Sequence, residues 1–295
     1  MNILSKLKMR SLTTFLSVAI ASLFLVVSCS ASGGGSTLEK VQDSGVIRVG
    51  YANEAPYGYQ DSESGNITGE APEIAKIVMA ELGVSEIEGV LTEFGSLIPG
   101  LQAGQFDMIA AGMYIKPERC EQILFSDPSY AIGEGMVVQS GNPKGISSYE
   151  DIVNGDAVFG VVAGAVEQEY AKAMGIPDNQ LEILPDAPSA VEAVKAGRID
   201  AYGGTALTVQ DLVDKDQSGS VERAEPFTDP TIDGQEVKGY GAFGFRPEDE
   251  EFRNAFNEQL NEFVGSDEHL TLVRPFGFTE SELPGEKTAD ELCQA

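Results

Sequence analysis

The 295-residue chain has no tryptophan, one histidine (His269) and three cysteines, Cys29, Cys120 and Cys293. A structural zinc site draws its four ligands mainly from Cys and His, and this chain has too few of either. No metal or cofactor is expected. Histidine-based acid–base chemistry would rest on His269 alone, far in sequence from every other candidate residue. Cations are scarce too: 19 Lys and Arg stand against 47 Asp and Glu, for a formal net charge of −28. Such a chain repels phosphate backbones, so nucleic acid is excluded as a partner. It gives a net anionic ligand no long-range attraction either.

Long apolar runs are equally rare, with one at the start. Lys6, Lys8 and Arg10 precede an apolar stretch over residues 11–28 that is broken only by Ser and Thr and ends in Val26-Val27-Ser28-Cys29. A basic start, an apolar run and small residues mark a secretory signal over 1–28. For a transmembrane helix the run is marginal in length and too polar. The cysteine at the cleavage point resembles the lipobox of bacterial lipoproteins, which implies that Cys29 becomes a lipidated N-terminus anchored in a membrane. SASGGGST then reads as a flexible tether, giving an anchor-and-tether segment over 29–39. Export permits a disulfide between Cys120 and Cys293, although spacing alone does not show that they meet.

Beyond the tether, strand-like and helix-like periodicities alternate. VIRVGY (46–51), VLTEF (90–94) and DMIAAG (107–112) read as strands; EAPEIAKIVMAELG (70–83), closed by Gly83, and LIPGLQAG (97–104) read as helices. This alternation predicts an α/β fold with mostly parallel sheet. LQAGQFDMIAAG (101–112) is echoed by VKAGRIDAYGGT (194–205), each with Ala-Gly after a helix and then an apolar residue and Asp opening a strand. The echo predicts two lobes with a sheet each. Ligands gather outside the carboxyl ends of such strands, here Gly112-Met113-Tyr114 and Gly203-Gly204-Thr205, so a cleft between lobes is the expected site. MVVQSGNP (136–143) is the expected exit from lobe 1 and the glycine-rich KGYGAFGFRP (238–247) the return. Lobe 1 is thus expected over 40–138 and 240–280, lobe 2 over 139–239, and a tail over 281–295, with two connecting segments as a hinge.

GMYIKPERC (112–120) is the most informative stretch. Pro117 suits a first helical turn and Glu118 its positive dipole end. The capping position holds Lys116, which has no oxygen to offer the free N–H groups. Arg119 projects from the same turn, with Tyr114 just upstream. Together with EFGSLIPGLQAGQFDMIAAG before it and EQILFSDPSY after it, this stretch resembles the polar amino-acid branch of the extracytoplasmic solute-binding proteins of ABC importers. The resemblance implies a two-lobed, type II periplasmic-binding-protein fold, a permease partner and no enzymatic activity. It also implies that Arg119 holds a ligand carboxylate, a role that suits a guanidinium fork beside free helix N–H groups.

Departures from the branch narrow the ligand. Thr is usual where Lys116 stands, and an Asp that grips an α-ammonium is usual where Thr205 stands. The hydroxyl pair after the lobe 2 glycine is Ala165-Val166, which leaves Gly164 and Val166 only backbone N–H groups to offer. A primary ammonium would then lack its carboxylate partner, a costly loss in a closed cleft. NEAPYGY (53–59), TGEAPEIA (68–75) and the Tyr-x-Lys-Pro-Glu-Arg-Cys string are most similar to the ectoine/hydroxyectoine-binding lipoproteins. That likeness implies an aromatic box of Tyr57, Phe94 and Tyr114 around a diffuse cation, with Glu54 meeting its N–H. A polar amino acid, another zwitterion such as a betaine, or a dehydratase built on the same fold remain the alternatives.

Overall fold

A computed structural model describes residues 35–232 and 234–294. The leader and Cys29 lie outside the described residues. No helix among the described residues is long and apolar enough to cross a membrane.

Two sheets organise the chain. In the first, Glu86–Leu91, Val46–Tyr51 and Met108–Tyr114 run parallel, and Gly239–Phe245 lies antiparallel beside Met108–Tyr114. Leu124–Phe125 and Tyr130–Ile132 both pair with the far side of Gly239–Phe245. In the second, Leu181–Leu184, Phe159–Val162 and Ala201–Thr205 run parallel, and Glu134–Gln139 lies antiparallel between Ala201–Thr205 and Val221–Arg223. Each sheet is therefore three parallel strands followed by one antiparallel strand that arrives from the other lobe. The central strands are buried on both faces, as strands covered by helices on each side must be.

The internal echo has a structural basis. Asp107 and Asp200 each open the third parallel strand of their sheet. Asp107 N–H donates to Arg48 O (2.8 Å) and its Oδ2 accepts from Arg48 N (3.2 Å); Asp200 N–H donates to Val158 O (2.8 Å) and its Oδ2 accepts from Val158 N (2.7 Å). The preceding glycines, Gly104 at φ +69° and Gly197 at φ +66°, take the left-handed conformation that ends the helix. The same four-residue device starts the central strand of both lobes.

Two expectations need correction. The strand expected over 90–94 occupies Glu86–Leu91, because its partner Val46–Tyr51 ends opposite Leu91 and the ladder has nothing further to pair with. Phe94 instead begins a 3-10 turn, Phe94–Ser96. The exit from lobe 1 comes earlier than 138: Ile132 still pairs in the first sheet with Gly239, whereas Glu134 already pairs in the second with Thr205. The crossing is Gly133, since an extended apolar run such as MVVQ carries no mark of which sheet it joins. The tail expected from 281 onward docks on lobe 1 through its described residues. Helix Ala289–Leu292 packs on lobe 1 through buried Ala289, whose N–H donates to Asp127 Oδ1 (2.8 Å), and a disulfide joins Cys293 to Cys120 with Cα atoms 5.8 Å apart.

Helix Glu250–Phe263 covers the back of the first sheet. Its buried residues Phe252, Phe256, Leu260 and Phe263 recur at helical spacing, and Phe252 and Phe256 meet Phe245 at 5.1 and 5.3 Å between ring centroids. Removing one such ring, as in Phe256→Ala, costs a core about 3–5 kcal/mol.

Candidate functional site

The carboxyl ends of the two sheets face one another across a tight cavity of about 30 Å³, well below the roughly 300–1,000 Å³ usual for ligand pockets. Glu54, Tyr57, Phe94, Tyr114 and Arg119 line it from lobe 1, and Val162, Ala165, Val166, Glu167, Tyr202 and Thr205 from lobe 2. Of the residues singled out from sequence, Gly164 alone does not line the void. It touches Arg119 through its carbonyl instead.

Arg119 belongs to the single helical turn Pro117–Cys120, for which Lys116 supplies no side-chain cap. The guanidinium is buried, at 7% exposure. Its NH1 donates to Tyr114 O at 2.9 Å and its NH2 to Gly164 O at 3.0 Å, so one residue ties both lobes. The Phe94 ring centre lies 5.6 Å from its Cζ, within cation–π range. Arg119 makes no ion pair with any described carboxylate, which leaves a buried positive charge with three N–H donors to spare. Close by, helix Val166–Met174 also starts without a side-chain cap at Ala165. The cationic end of the cavity is therefore one guanidinium and two uncapped helix starts.

Carboxyls line the cavity too. Glu54 Oε1 accepts from Thr208 Oγ1 at 2.8 Å, and Thr208 in turn accepts from the Thr205 hydroxyl at 3.0 Å. Thr205, expected to touch ligand where relatives carry Asp, also caps helix Ala206–Lys215. Through Thr208, lobe 2 fixes the orientation of a lobe 1 carboxylate. Burial raises the Glu54 pKa, partly opposed by the Thr208 bond. Glu167 is 4% exposed, and burial raises its pKa to about 7. Behind it Glu134 is 2% exposed, with no N–H or O–H donor on either oxygen. Burial first, and then the neighbouring Glu167 charge, raise its pKa well above the carboxylate range.

Sequence reading missed Glu134, Glu167 and Tyr202. Glu167 looked like an ordinary first-turn acid of the kind that complements a helix dipole. Glu134 carried a usable signal, an acid between two glycines at the head of a wholly apolar strand. Glu167 brings a lobe 2 carboxyl to the cavity at a position other than Thr205.

Aromatic rings form the lobe 1 wall, and glycines form its floor. Tyr57 stacks on Tyr130 at 5.0 Å between centroids, and Phe278 meets both edge-on at 5.7 and 5.3 Å. A Cβ on Gly112, which also sits at φ +65°, would lie 2.6 Å from Tyr57 Cδ1. Cβ atoms on Gly239 and Gly241 would run into the rings of Tyr114 and Tyr130. The glycine-rich return strand is flat so that these rings can lie against it.

The profile of the bacterial extracellular solute-binding proteins, family 3, matches residues 47–278. A probable amino-acid ABC transporter periplasmic-binding protein (y4tE) of Sinorhizobium fredii (strain NBRC 101917 / NGR234) is 42% identical over 282 residues, covering 94% of this chain and 92% of its own. The solved structure of EhuB in complex with hydroxyectoine matches at 33% identity with a TM-score of 0.79, over 88% of this chain and 99% of its own. An ancestral amino acid-binding protein, AncCDT-1, described as a precursor of cyclohexadienyl dehydratase, matches at 27% identity with a TM-score of 0.71, over 82% and 99%. A two-lobed α/β fold, a charged cavity between its sheets and a profile match spanning both lobes lead to one assignment: the chain belongs to the bacterial extracellular solute-binding proteins, family 3.

Proposed function

We propose that this protein captures a small zwitterion, ectoine or hydroxyectoine, and hands it to the permease of an ABC importer, for osmoprotection or nutrition. One observation carries the reading: a buried guanidinium that makes no ion pair with a described carboxylate shares a small cavity with two buried carboxyls and a set of aromatic rings. A carboxylate fits Arg119 and the uncapped N–H groups at one end. A delocalised cation fits the faces of Tyr57, Phe94 and Tyr114, with Glu54 and Glu167 able to accept from two N–H groups at once. The likeness to EhuB supports this choice of ligand. The Sinorhizobium relative, named as a transporter binding protein, supports the permease partner.

A polar α-amino acid is the second reading. Glu167 favours it by restoring the acidic partner that Thr205 does not supply. Calorimetric titration with ectoine, hydroxyectoine, glycine betaine, proline and glutamine decides between them. Tighter binding of ectoine or hydroxyectoine supports the first reading, and tighter binding of glutamine overturns it. Turnover of any of these ligands would instead mark an enzyme.

The anchor belongs to the same reading. Cys29→Ala should abolish lipidation and release the protein from membranes. Unchanged fractionation of the variant would remove the lipoprotein assignment.

A further inference from the structure

Two glycines meet where the lobes touch. Gly95 of lobe 1 follows Phe94, and Gly164 of lobe 2 precedes Ala165; Phe94 and Ala165 both line the cavity. A Cβ on Gly164 would lie 2.7 Å from Gly95 Cα and 3.4 Å from Gly95 N, with no other atom within 4 Å beyond its chain neighbours. A Cβ on Gly95 would lie 3.1 Å from Ala163 O, 3.5 Å from Ala163 C and 3.8 Å from Gly164 Cα. In each lobe, the nearest obstacle to a side chain is therefore the backbone of the other lobe. Gly164, at φ +77°, also has a local need for glycine. Gly95 has none. It sits in the 3-10 turn Phe94–Ser96, outside the left-handed region, where glycine only adds freedom to the unfolded chain. Its reason lies across the seam. Arg119 NH2 donates to Gly164 O at 3.0 Å, so the seam adjoins the guanidinium. Two polar ties also join the lobes, Lys116 to Glu169 and Thr208 Oγ1 to Glu54 Oε1 at 2.8 Å. Such ties can lengthen by taking in a water, whereas backbones already in contact cannot approach further.

We infer that Gly95 and Gly164 form the stop that sets how far the lobes close, and so the size of ligand the cavity accepts. An atom added at Gly95 holds Phe94 and Arg119 of lobe 1 away from Gly164, Ala165 and Val166 of lobe 2. Arg119 then loses Gly164 O, and a small ligand no longer reaches both walls at once. A longer ligand that spans the wider gap loses less. Gly95 is a positioning residue, since it stands outside the cavity lining and acts through the spacing of the residues beside it. This deepens the proposed zwitterion-binding function and rests on that reading for the use of this cavity.

The test uses the mature protein with Gly95→Ala and Gly95→Val, titrated with glycine betaine, ectoine, L-glutamine and L-arginine. A Cβ at 3.1 Å asks the seam to give slightly, so Gly95→Ala should weaken ectoine binding about tenfold. Valine is stiff at its branch and cannot swing clear, so Gly95→Val should weaken it by about a hundredfold. The loss should appear in the dissociation rate, because the stop acts only once the lobes have met. It should shrink from ectoine to L-arginine, the longest probe. Small-angle scattering of the ligand-saturated proteins should give Gly95→Val the larger radius of gyration. Without ligand neither variant should melt below wild type, since a helical turn gains from losing a glycine. Wild-type affinity in Gly95→Val overturns the stop, and so does a ligand-free melting temperature that falls along with affinity. An equal loss for every probe overturns the size limit. If L-glutamine binds more tightly than ectoine and Gly95→Val weakens it, the ectoine reading fails and the stop stands. If ectoine binds wild type and both variants alike, the stop fails and the ectoine reading stands.

Discussion

Lys116 of lobe 1 forms an ion pair with Glu169 of lobe 2 across the cavity mouth, and its Nζ lies 5.6 Å from the centre of the Tyr170 ring. Lys116 thus works as a latch between the lobes. The Glu169 side chain is half exposed, so the pair is worth about 0.5–1 kcal/mol at moderate salt. Lys116→Ala should raise the ligand dissociation rate a few-fold and leave the association rate little changed. Stopped-flow release at low and high ionic strength checks this, since a latch of this kind weakens in salt.

Arg119 carries a larger share. Arg119→Ala should weaken ligand binding by about 2–5 kcal/mol, because the ligand carboxylate then enters a buried site with no counter-charge. Arg119→Lys should fail nearly as badly, since one ammonium cannot reach Tyr114 O, Gly164 O and a carboxylate together. Tyr114→Leu keeps apolar bulk and removes the π face, for a milder loss of about 0.5–2 kcal/mol. Titration of all three against ectoine orders these effects, and an Arg119→Lys variant with wild-type affinity would refute the fork.

Glu70 predicts a pH effect on stability away from the cavity. It is 1% exposed, its Oε1 accepts from Ser129 Oγ at 2.7 Å, and burial raises its pKa from 4.5 to about 8. Between those values the folded protein holds a proton that the unfolded chain has lost. The contribution is fully present below the unfolded value and is lost as pH rises through about 8. Stability should fall across this window, with a slope of up to about 1.4 kcal/mol per pH unit from this group. Glu70→Gln keeps the bond from Ser129 and should remove that slope. Urea unfolding of both proteins across the window isolates the difference, and parallel curves would contradict it.

The disulfide gives a fourth expectation. Cys120 and Cys293 are 173 residues apart, and closing so long a loop stabilises a chain by nominally about 4–5 kcal/mol. Cys293→Ser should lower the melting temperature. It should also loosen the turn that carries Arg119, so affinity should fall alongside stability. Free thiols titrating in the unreduced, unfolded wild type would show that the bond does not form.

How much of this was legible in the sequence depended on whether a residue's role was local. The Ala-Gly and Asp pairs around Asp107 and Asp200 were legible because helix capping and strand opening are settled within a few residues. Tyr114 and Arg119 were legible through their short motif. Glu134 was not, because its meaning depends on the chain changing sheets at Gly133, and an extended run reads alike in either lobe. Thr205 was placed at the cavity, but its hydroxyl is spent on Thr208 and the helix start, a three-residue relay that ends on a side chain 154 positions from Thr208. Non-local partners of this kind leave no periodic trace.

The glycine floor beneath the aromatic wall has an entropic consequence. With Gly112, Gly239 and Gly241 pressed against Tyr57, Tyr114 and Tyr130, each ring is held between backbone and neighbouring rings. Ordering a rotamer-rich side chain at binding costs about 0.5–1.5 kcal/mol. Here that freedom is already lost when lobe 1 folds, so an arriving ligand meets a finished surface. A bulkier residue at Gly239 would unsettle that surface from behind, loosening the wall without altering any atom that faces the ligand.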